Sequence, residues 1–189
     1  NIAWSPDSKT IYMFELNRDQ NDCRLTAYDA ETGEKTGELY RETDEKYVEP
    51  LHPIIFLPWD GNSFIMQSRK DGYNHLYLCE VKNEERKTKN SNAKSSSEKQ
   101  ENSSLSTLHS SLSIQQLTSG KWEVMEVIGF NTKHKSIIIA SNECSPIQRN
   151  IFVVDTKTGK RAMTDDCGKG WHNATLSENG QYIYDNYST

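Results

Sequence analysis

The chain has 189 residues, 34% of them hydrophobic, and a formal net charge of −5 at pH 7, which suits one ordinary domain. Lys and Arg form no dense cluster, which excludes nucleic acid as a main partner because phosphate neutralisation needs clustered positive charge. No apolar run approaches the roughly 18 residues of a membrane-spanning helix, so no membrane span is predicted in this segment.

Short strands are the predicted elements throughout the chain. Runs of alternating β-branched and aromatic residues, bounded by turn formers, occur at residues 11–14, 64–66, 75–79, 151–154 and 182–184. No segment of ten or more residues carries a helical apolar stripe with caps. The sequence therefore predicts an all-β fold.

Two kinds of turn recur between these strands. Residues 4–8 (W-S-P-D-S), 57–62 (L-P-W-D-G-N) and 176–180 (L-S-E-N-G) each lead into a strand. Residues 29–35 (D-A-E-T-G-E-K) and 155–160 (D-T-K-T-G-K) are near copies of each other. Asp, Asn and Gly at these positions favour hairpins, because they tolerate the positive φ angles of tight turns.

The repeat length of roughly 40 to 50 residues is typical of the four-stranded blades of a β-propeller. We predict a partial β-propeller of about three to four blades of four antiparallel strands. The first ends near Tyr40, the second covers residues 53–118, the third covers residues 123–164 and the fourth starts at His172. The chain is expected to begin within one blade and to stop within another, as part of a longer polypeptide.

The third blade gives the most detailed expectation. Its strands are predicted at residues 123–129, 136–142, 150–155 and 160–164. Because side chains alternate along a strand, Ile137 and Ile139 should share one face and Ile138 should take the other.

Residues 83–113 interrupt the second blade. Ser, Lys, Glu and Asn dominate this stretch, which cannot bury enough apolar surface to form a core. We expect a disordered insertion between two strands, since residues 114–118 complete the blade that residues 76–81 leave unfinished. A linker between domains is the alternative.

No residue is predicted to be catalytic. The chain lacks the G-x-S-x-G turn of an α/β-hydrolase nucleophile, and its histidines have no nucleophile to serve. Four separated cysteines, without a C-x-x-C pair, predict neither a metal site nor a cofactor, and free thiols are favoured over disulfides. The histidines are His52, His75, His109, His134 and His172, and the cysteines are Cys23, Cys79, Cys144 and Cys167.

Three longer motifs occur in order along the chain. Residues 71–78 read D-G-Y-N-H-L-Y-L, residues 117–124 read L-T-S-G-K-W-E-V, and residues 141–152 read S-N-E-C-S-P-I-Q-R-N-I-F. Together they resemble the N-terminal β-propeller domain of the dipeptidyl-peptidase IV family of serine exopeptidases. Hairpin turns alone would not distinguish this family from TolB-like or WD-repeat propellers, whereas the ordered set of three motifs does.

This resemblance implies a non-catalytic propeller domain that gates and positions peptide substrates for an α/β-hydrolase domain expected after residue 189. The parent protein would then be a serine-type dipeptidyl peptidase, periplasmic or secreted, with a homodimer as one option. The family's acidic pair that binds the substrate amino terminus has no match here: Glu84 and Glu85 lack its aromatic context, so the pair is expected upstream of residue 1. The alternative is a stand-alone TolB-like interaction propeller without peptidase activity.

Several side chains have competing interpretations. Tyr47 and Glu49 are candidates for the rim of a substrate cavity, with a solvated loop as the alternative. His75 is expected to be structural, and Glu143 and Arg149 are expected to form an ion pair across a hairpin. Trp122 and Trp171 could line a channel, but packing between blades is favoured.

Overall fold

The computed structural model describes residues 1–83, 110–164 and 169–189, which form fourteen β-strands in four antiparallel sheets. Sheet 1 contains β1 (Ile2–Trp4), β2 (Thr10–Leu16), β3 (Asp22–Asp29) and β4 (Lys35–Thr43). Sheet 2 contains β5 (Ile55–Leu57), β6 (Asp60–Ser68), β7 (His75–Asn83) and β8 (Ser110–Gln116). Sheet 3 contains β9 (Val124–Asn131), β10 (Ser136–Ser141), β11 (Asn150–Asp155) and β12 (Arg161–Met163). Sheet 4 contains β13 (Trp171–Leu176) and β14 (Ile183–Ser188).

Strands within each sheet follow one another in sequence order, and every neighbouring pair is antiparallel. The described part of the chain is therefore a partial β-propeller, which confirms the predicted all-β fold class. Sheet 1 has four strands, and its first strand, β1, is only three residues long. No helix occurs in the described ranges, and thus none that is long and apolar enough to cross a membrane.

The apolar core lies between the sheets. Leu25 of sheet 1 packs with Phe64 and Met66 of sheet 2, whereas Ile65 on the opposite face of β6 packs towards sheet 3. A third cluster joins sheet 3 to Ala174 of sheet 4. Because successive side chains point to opposite faces, a strand buried on both sides needs a continuous apolar run.

Strand β10 is such a run, and all six of its residues are buried. Ile137 and Ile139 pack towards sheet 2, and Ile138 packs on the side that meets sheet 4. The predicted division of these three side chains between the two faces is confirmed.

The two copied turns have the same hydrogen bonds. Asp29 Oδ1 accepts bonds from the backbone nitrogens of Glu31 and Thr32 at 3.0 and 2.8 Å. Asp155 Oδ1 accepts the equivalent bonds from Lys157 and Thr158 at 3.1 and 2.7 Å. The following glycines, Gly33 and Gly159, have φ angles of +73° and +68°, which favour residues without a Cβ.

The turn into β6 lies within the predicted segment of residues 57–62. Leu57 pairs directly with Asp60, so Pro58 and Trp59 make the turn. Asp60 instead stabilises the start of β6, where its carboxylate accepts a bond from Ser63 Oγ at 2.6 Å.

The predicted insertion is too long at both ends. Residues 110–113 pair with residues 80–83 in the ladder between β7 and β8, so strand β8 starts earlier than expected. The expectation that β8 completes the blade begun by β7 is confirmed. Residues 84–109, which contain the rest of the predicted insertion, lie outside the described residues.

Candidate functional site

The candidate site is one edge of the stacked sheets, which we call the loop face. It comprises the loops between the second and third strands of sheets 1 to 3, and the connectors that lead from sheet 1 to 2 and from sheet 2 to 3. Antiparallel pairing places both kinds of segment at the same edge: Leu16 pairs with Cys23, and Asp22 pairs with Thr43. The segments are residues 17–21, 44–54, 69–74, 117–123 and 142–149.

A backbone hydrogen bond crosses each sheet junction on this face. Val48 N donates to Gln20 O at 2.7 Å, Val124 N donates to Asn74 O at 2.8 Å, and His172 N donates to Arg149 O at 3.0 Å. In each case the acceptor residue lies one or two residues before the third strand of one sheet. The donor residue lies in the connector to the next sheet or in the first strand of that sheet. This repeated bond fixes the spacing of neighbouring loops.

Asn74 reinforces the junction between sheets 2 and 3. Its side-chain nitrogen Nδ2 donates to Val124 O at 2.6 Å and to Gln67 Oε1 at 3.0 Å. Asn74 therefore binds both the N–H and the C=O of Val124, as a neighbouring strand would. Both partners are buried, so loss of this side chain would leave polar groups without partners.

Arg149 makes the corresponding double contact with sheet 4. Its Nε donates to His172 O at 2.9 Å, and its terminal nitrogen also pairs with Glu126 of β9. The predicted ion pair between Glu143 and Arg149 was therefore wrong. Glu143 pairs with Arg161 at 2.7 Å, because the loop of residues 142–149 turns the two side chains towards different sheets.

His75 and Trp122 pack together between sheets 2 and 3. The His75 ring nitrogens lie 3.1 Å from Thr118 Oγ1 and 3.0 Å from Gly120 O. The Trp122 ring meets the His75 ring edge to face at 4.8 Å. Both side chains are buried, which confirms the structural role of His75 and the packing interpretation of Trp122, whereas Trp171 is exposed.

The connector of residues 44–54 carries the two rim candidates. Val48 is buried, with 7% of its surface exposed, and its N–H is bonded to Gln20 O. Tyr47, on one side of it, is 59% exposed, and Glu49 on the other side is also exposed. Pro50 O accepts a further bond from Asn1 Nδ2 at 2.5 Å. The structure thus presents Tyr47 and Glu49 to solvent from a tethered segment.

A polar depression of about 410 Å³ lies beside this connector. Asp22 occupies its wall, where Arg41 and Arg24 hold the pKa of the carboxyl well below its usual range. Asp22 and Arg41 in this lining are already paired with one another. It is lined by Asn17, Asn21, Asp22, Arg41, Thr43, Asp44 and Glu45.

His172, Cys23 and Cys79 are all buried in the fold. His172 is buried, its Nδ1 lies 2.6 Å from Asp185 Oδ2, and its ring stacks on Tyr187. Burial raises the thiol pKa of Cys23 to about 11 and of Cys79 to about 12. Within the described ranges, no three His, Cys, Asp or Glu side chains come together as metal ligands would. His109, Cys167, Glu84 and Glu85 lie outside the described residues.

Sequence reasoning missed the contacts of Asn74 and Arg149. One signal could have identified them, since each immediately precedes the third strand of its blade and each lies in one of the three ordered motifs.

Comparisons with known proteins agree with this architecture. Inactive dipeptidyl peptidase 10 of Rattus norvegicus is 22% identical over 82% of this chain and 17% of its own length. A protein from Bacteroides ovatus assigned as a dipeptidyl aminopeptidase IV has a solved structure that is 40% identical. That match has a TM-score of 0.77 and covers 100% of this chain and 25% of the other.

The structure of Porphyromonas gingivalis dipeptidyl peptidase 4 shares the fold at a TM-score of 0.70 and 22% identity, over 99% of this chain and 22% of that one. This chain therefore spans about a quarter or less of the length of these relatives. The family model for the dipeptidyl peptidase IV (DPP IV) N-terminal region matches residues 1–189. The chain belongs to the dipeptidyl peptidase IV N-terminal region family.

Proposed function

We propose that this chain is the non-catalytic propeller part of a serine-type dipeptidyl peptidase, and that it gates and positions peptide substrates. The family match over residues 1–189 supports this role. The hydrolysis would belong to an α/β-hydrolase domain after residue 189, where an activated serine attacks the peptide carbonyl and hydrogen-bond donors stabilise the oxyanion. The propeller would restrict entry to unfolded peptide ends.

One observation carries this proposal: Tyr47 and Glu49 are exposed on a segment that the buried Val48 holds in place. A loop that positions a peptide must hold its contact groups in fixed places, because freezing a mobile loop on binding costs affinity. Val48 supplies that anchor through its burial and its bond to Gln20. The exposed phenol offers a flat apolar surface with a polar end, and the carboxylate accepts bonds from peptide N–H groups.

Steady-state kinetics of the complete protein with a dipeptidyl chromogenic substrate test this role. Tyr47→Ala and Glu49→Gln should each raise KM several-fold and change kcat less, since they remove binding contacts distant from the reacting bond. Glu31→Gln is the matched control, because Glu31 is an exposed glutamate in the turn at the other edge of sheet 1. Unchanged KM in both variants would contradict the assignment of the rim.

The bacterial relatives support export to the periplasm or beyond the cell, and a homodimer is part of the same proposal.

A second candidate function is an interaction propeller without peptidase activity. The name of the rat relative, inactive dipeptidyl peptidase 10, favours it, since that relative matches 82% of this chain. Dipeptide release by the complete protein separates the two candidates.

A further inference from the structure

A lysine ammonium lies against two tyrosine rings at the junction of sheets 1 and 2. Lys70 Nζ is 4.0 Å from the centre of the Tyr77 ring and 5.8 Å from the centre of the Tyr40 ring. Tyr40 comes from β4, Tyr77 comes from β7, and Lys70 lies in the loop that precedes β7. The two rings and the ammonium therefore meet at a junction between blades.

A carboxylate completes this group of side chains. Glu42 Oε2 accepts a bond from Tyr40 Oη at 3.0 Å and another from Ser68 Oγ at 2.7 Å. Both bonds fix the carboxylate beside the Tyr40 ring. Aromatic faces next to a fixed negative charge are the usual surroundings of a bound organic cation.

Tyr77 is the most deeply buried side chain of the group. It is 1% exposed, and its hydroxyl is buried and has no hydrogen-bond partner among the described residues. Burial raises the pKa of this phenol, and the charges of Asp71 and Glu42 raise it further. The Tyr77 ring is thus a buried, neutral aromatic surface with the carboxylates of Asp71 and Glu42 in its surroundings.

Lys70 is exposed, in contrast to the ring that it covers. Cation–π contacts at exposed sites are weak, and holding a lysine in one rotamer costs side-chain entropy. The contact of Lys70 with the Tyr77 ring is therefore one for which a second ammonium can compete. Because the group over the Tyr77 ring is an ammonium, another ammonium is the group that could replace it.

We propose that Tyr40, Glu42, Ser68 and Tyr77 form a binding site for the lysine side chain of a peptide or protein ligand, which Lys70 occupies when no ligand is bound. Lys70 is then an internal competitor. The apparent affinity for the ligand is its intrinsic affinity multiplied by the fraction of molecules in which Lys70 has left the site. This site is separate from Tyr47 and Glu49, and it does not depend on the proposed peptidase role.

NMR titration with Nα-acetyl-lysine methylamide tests this inference. Lys70→Ala should bind the probe about threefold to sixfold more tightly than the wild type, because it removes a weak competitor. Lys121→Ala, which removes an exposed lysine from the connector between sheets 2 and 3, should bind like the wild type. Adding Glu42→Gln to Lys70→Ala should reverse the gain.

Three results would overturn the proposal. The first is equal affinity of Lys70→Ala and the wild type, with an unchanged circular dichroism spectrum showing that the variant is folded. The second is equal binding of the uncharged Nα-acetyl-norleucine methylamide, which would show a merely apolar surface. Binding of glycinamide but not of the acetylated lysine probe would also contradict it, because the site would then select an amino terminus.

Discussion

Asn74 and Val124 are joined twice across the junction between sheets 2 and 3. Val124 N donates to Asn74 O at 2.8 Å, and Asn74 Nδ2 donates to Val124 O at 2.6 Å. A side-chain amide thus takes the place of the missing strand neighbour at the start of β9. Since both residues are buried, the bond is protected from competition by water.

Replacement of Asn74 should weaken this junction. Asn74→Ala leaves Val124 O and Gln67 Oε1 without their donor, which should cost about 1–3 kcal/mol of unfolding free energy. Asn62→Ala, at an exposed position near the start of β6, should change stability by less than about 0.5 kcal/mol. Urea unfolding of both variants measures the difference, and equal stability would show that the Asn74 side chain contributes nothing.

Replacement of Arg149 should lower the free energy of unfolding more than replacement of an arginine in an exposed ion pair. Only 8% of Arg149 is exposed, and Arg149→Met removes its bond to His172 O and leaves Glu126 unpaired. We expect a loss of about 1–3 kcal/mol. Arg24→Met breaks the partly exposed pairs with Asp22 and Glu38 and should cost about 0–1 kcal/mol. A larger loss for Arg24→Met in thermal unfolding would contradict this ranking.

Both faces of β10 should be sensitive to truncation. Ile138 and Ile139 are buried on opposite faces, so Ala at either position should cost about 2–5 kcal/mol. Ile147→Ala is the control, because Ile147 is 84% exposed and its truncation should change stability by about 0.5 kcal/mol or less. Denaturant unfolding of the complete protein provides the comparison. A nearly neutral Ile138→Ala or Ile139→Ala would indicate a sheet with one solvated face.

The copied turns predict a shared pH dependence. Bonds from Thr158 lower the pKa of the Asp155 carboxyl, and bonds from Thr32 lower that of Asp29. The ionised carboxylates therefore stabilise the fold above their unfolded pKa of about 3.9, and this contribution is lost as the pH falls through the lower folded value. Asp155→Asn and Asp29→Asn should lower Tm at pH 7. Their difference from the wild type should shrink towards pH 3, and a difference independent of pH would exclude this cause.

Much of the fold could be predicted because its signals are local. The alternation of Ile137, Ile138 and Ile139 depends only on strand geometry, and the two copied Asp-to-Gly turns specify their own hydrogen bonds. The turn into β6 was predicted only as the segment of residues 57–62, because Pro58, Asp60 and Gly61 are all turn formers and the sequence does not decide which of them lie at its tip.

Contacts between sheets could not be predicted in the same way. Arg149 has Glu143 nearby in sequence but pairs with Glu126 of β9, and sequence spacing does not decide between the two carboxylates. The sequence did indicate Tyr47 and Glu49 as exposed loop residues, but the anchoring of Val48 by Gln20 depends on a turn 28 residues earlier.

The central claim is that this chain positions substrate and that hydrolysis occurs elsewhere in the same polypeptide. Labelling of the complete protein with a serine-directed phosphonate, followed by mass-spectrometric mapping of the modified peptide, tests it most directly. The account predicts one labelled serine, located after Thr189 within a G-x-S-x-G sequence. A labelled serine within residues 1–189, or dipeptidyl peptidase activity without any such serine, would contradict it.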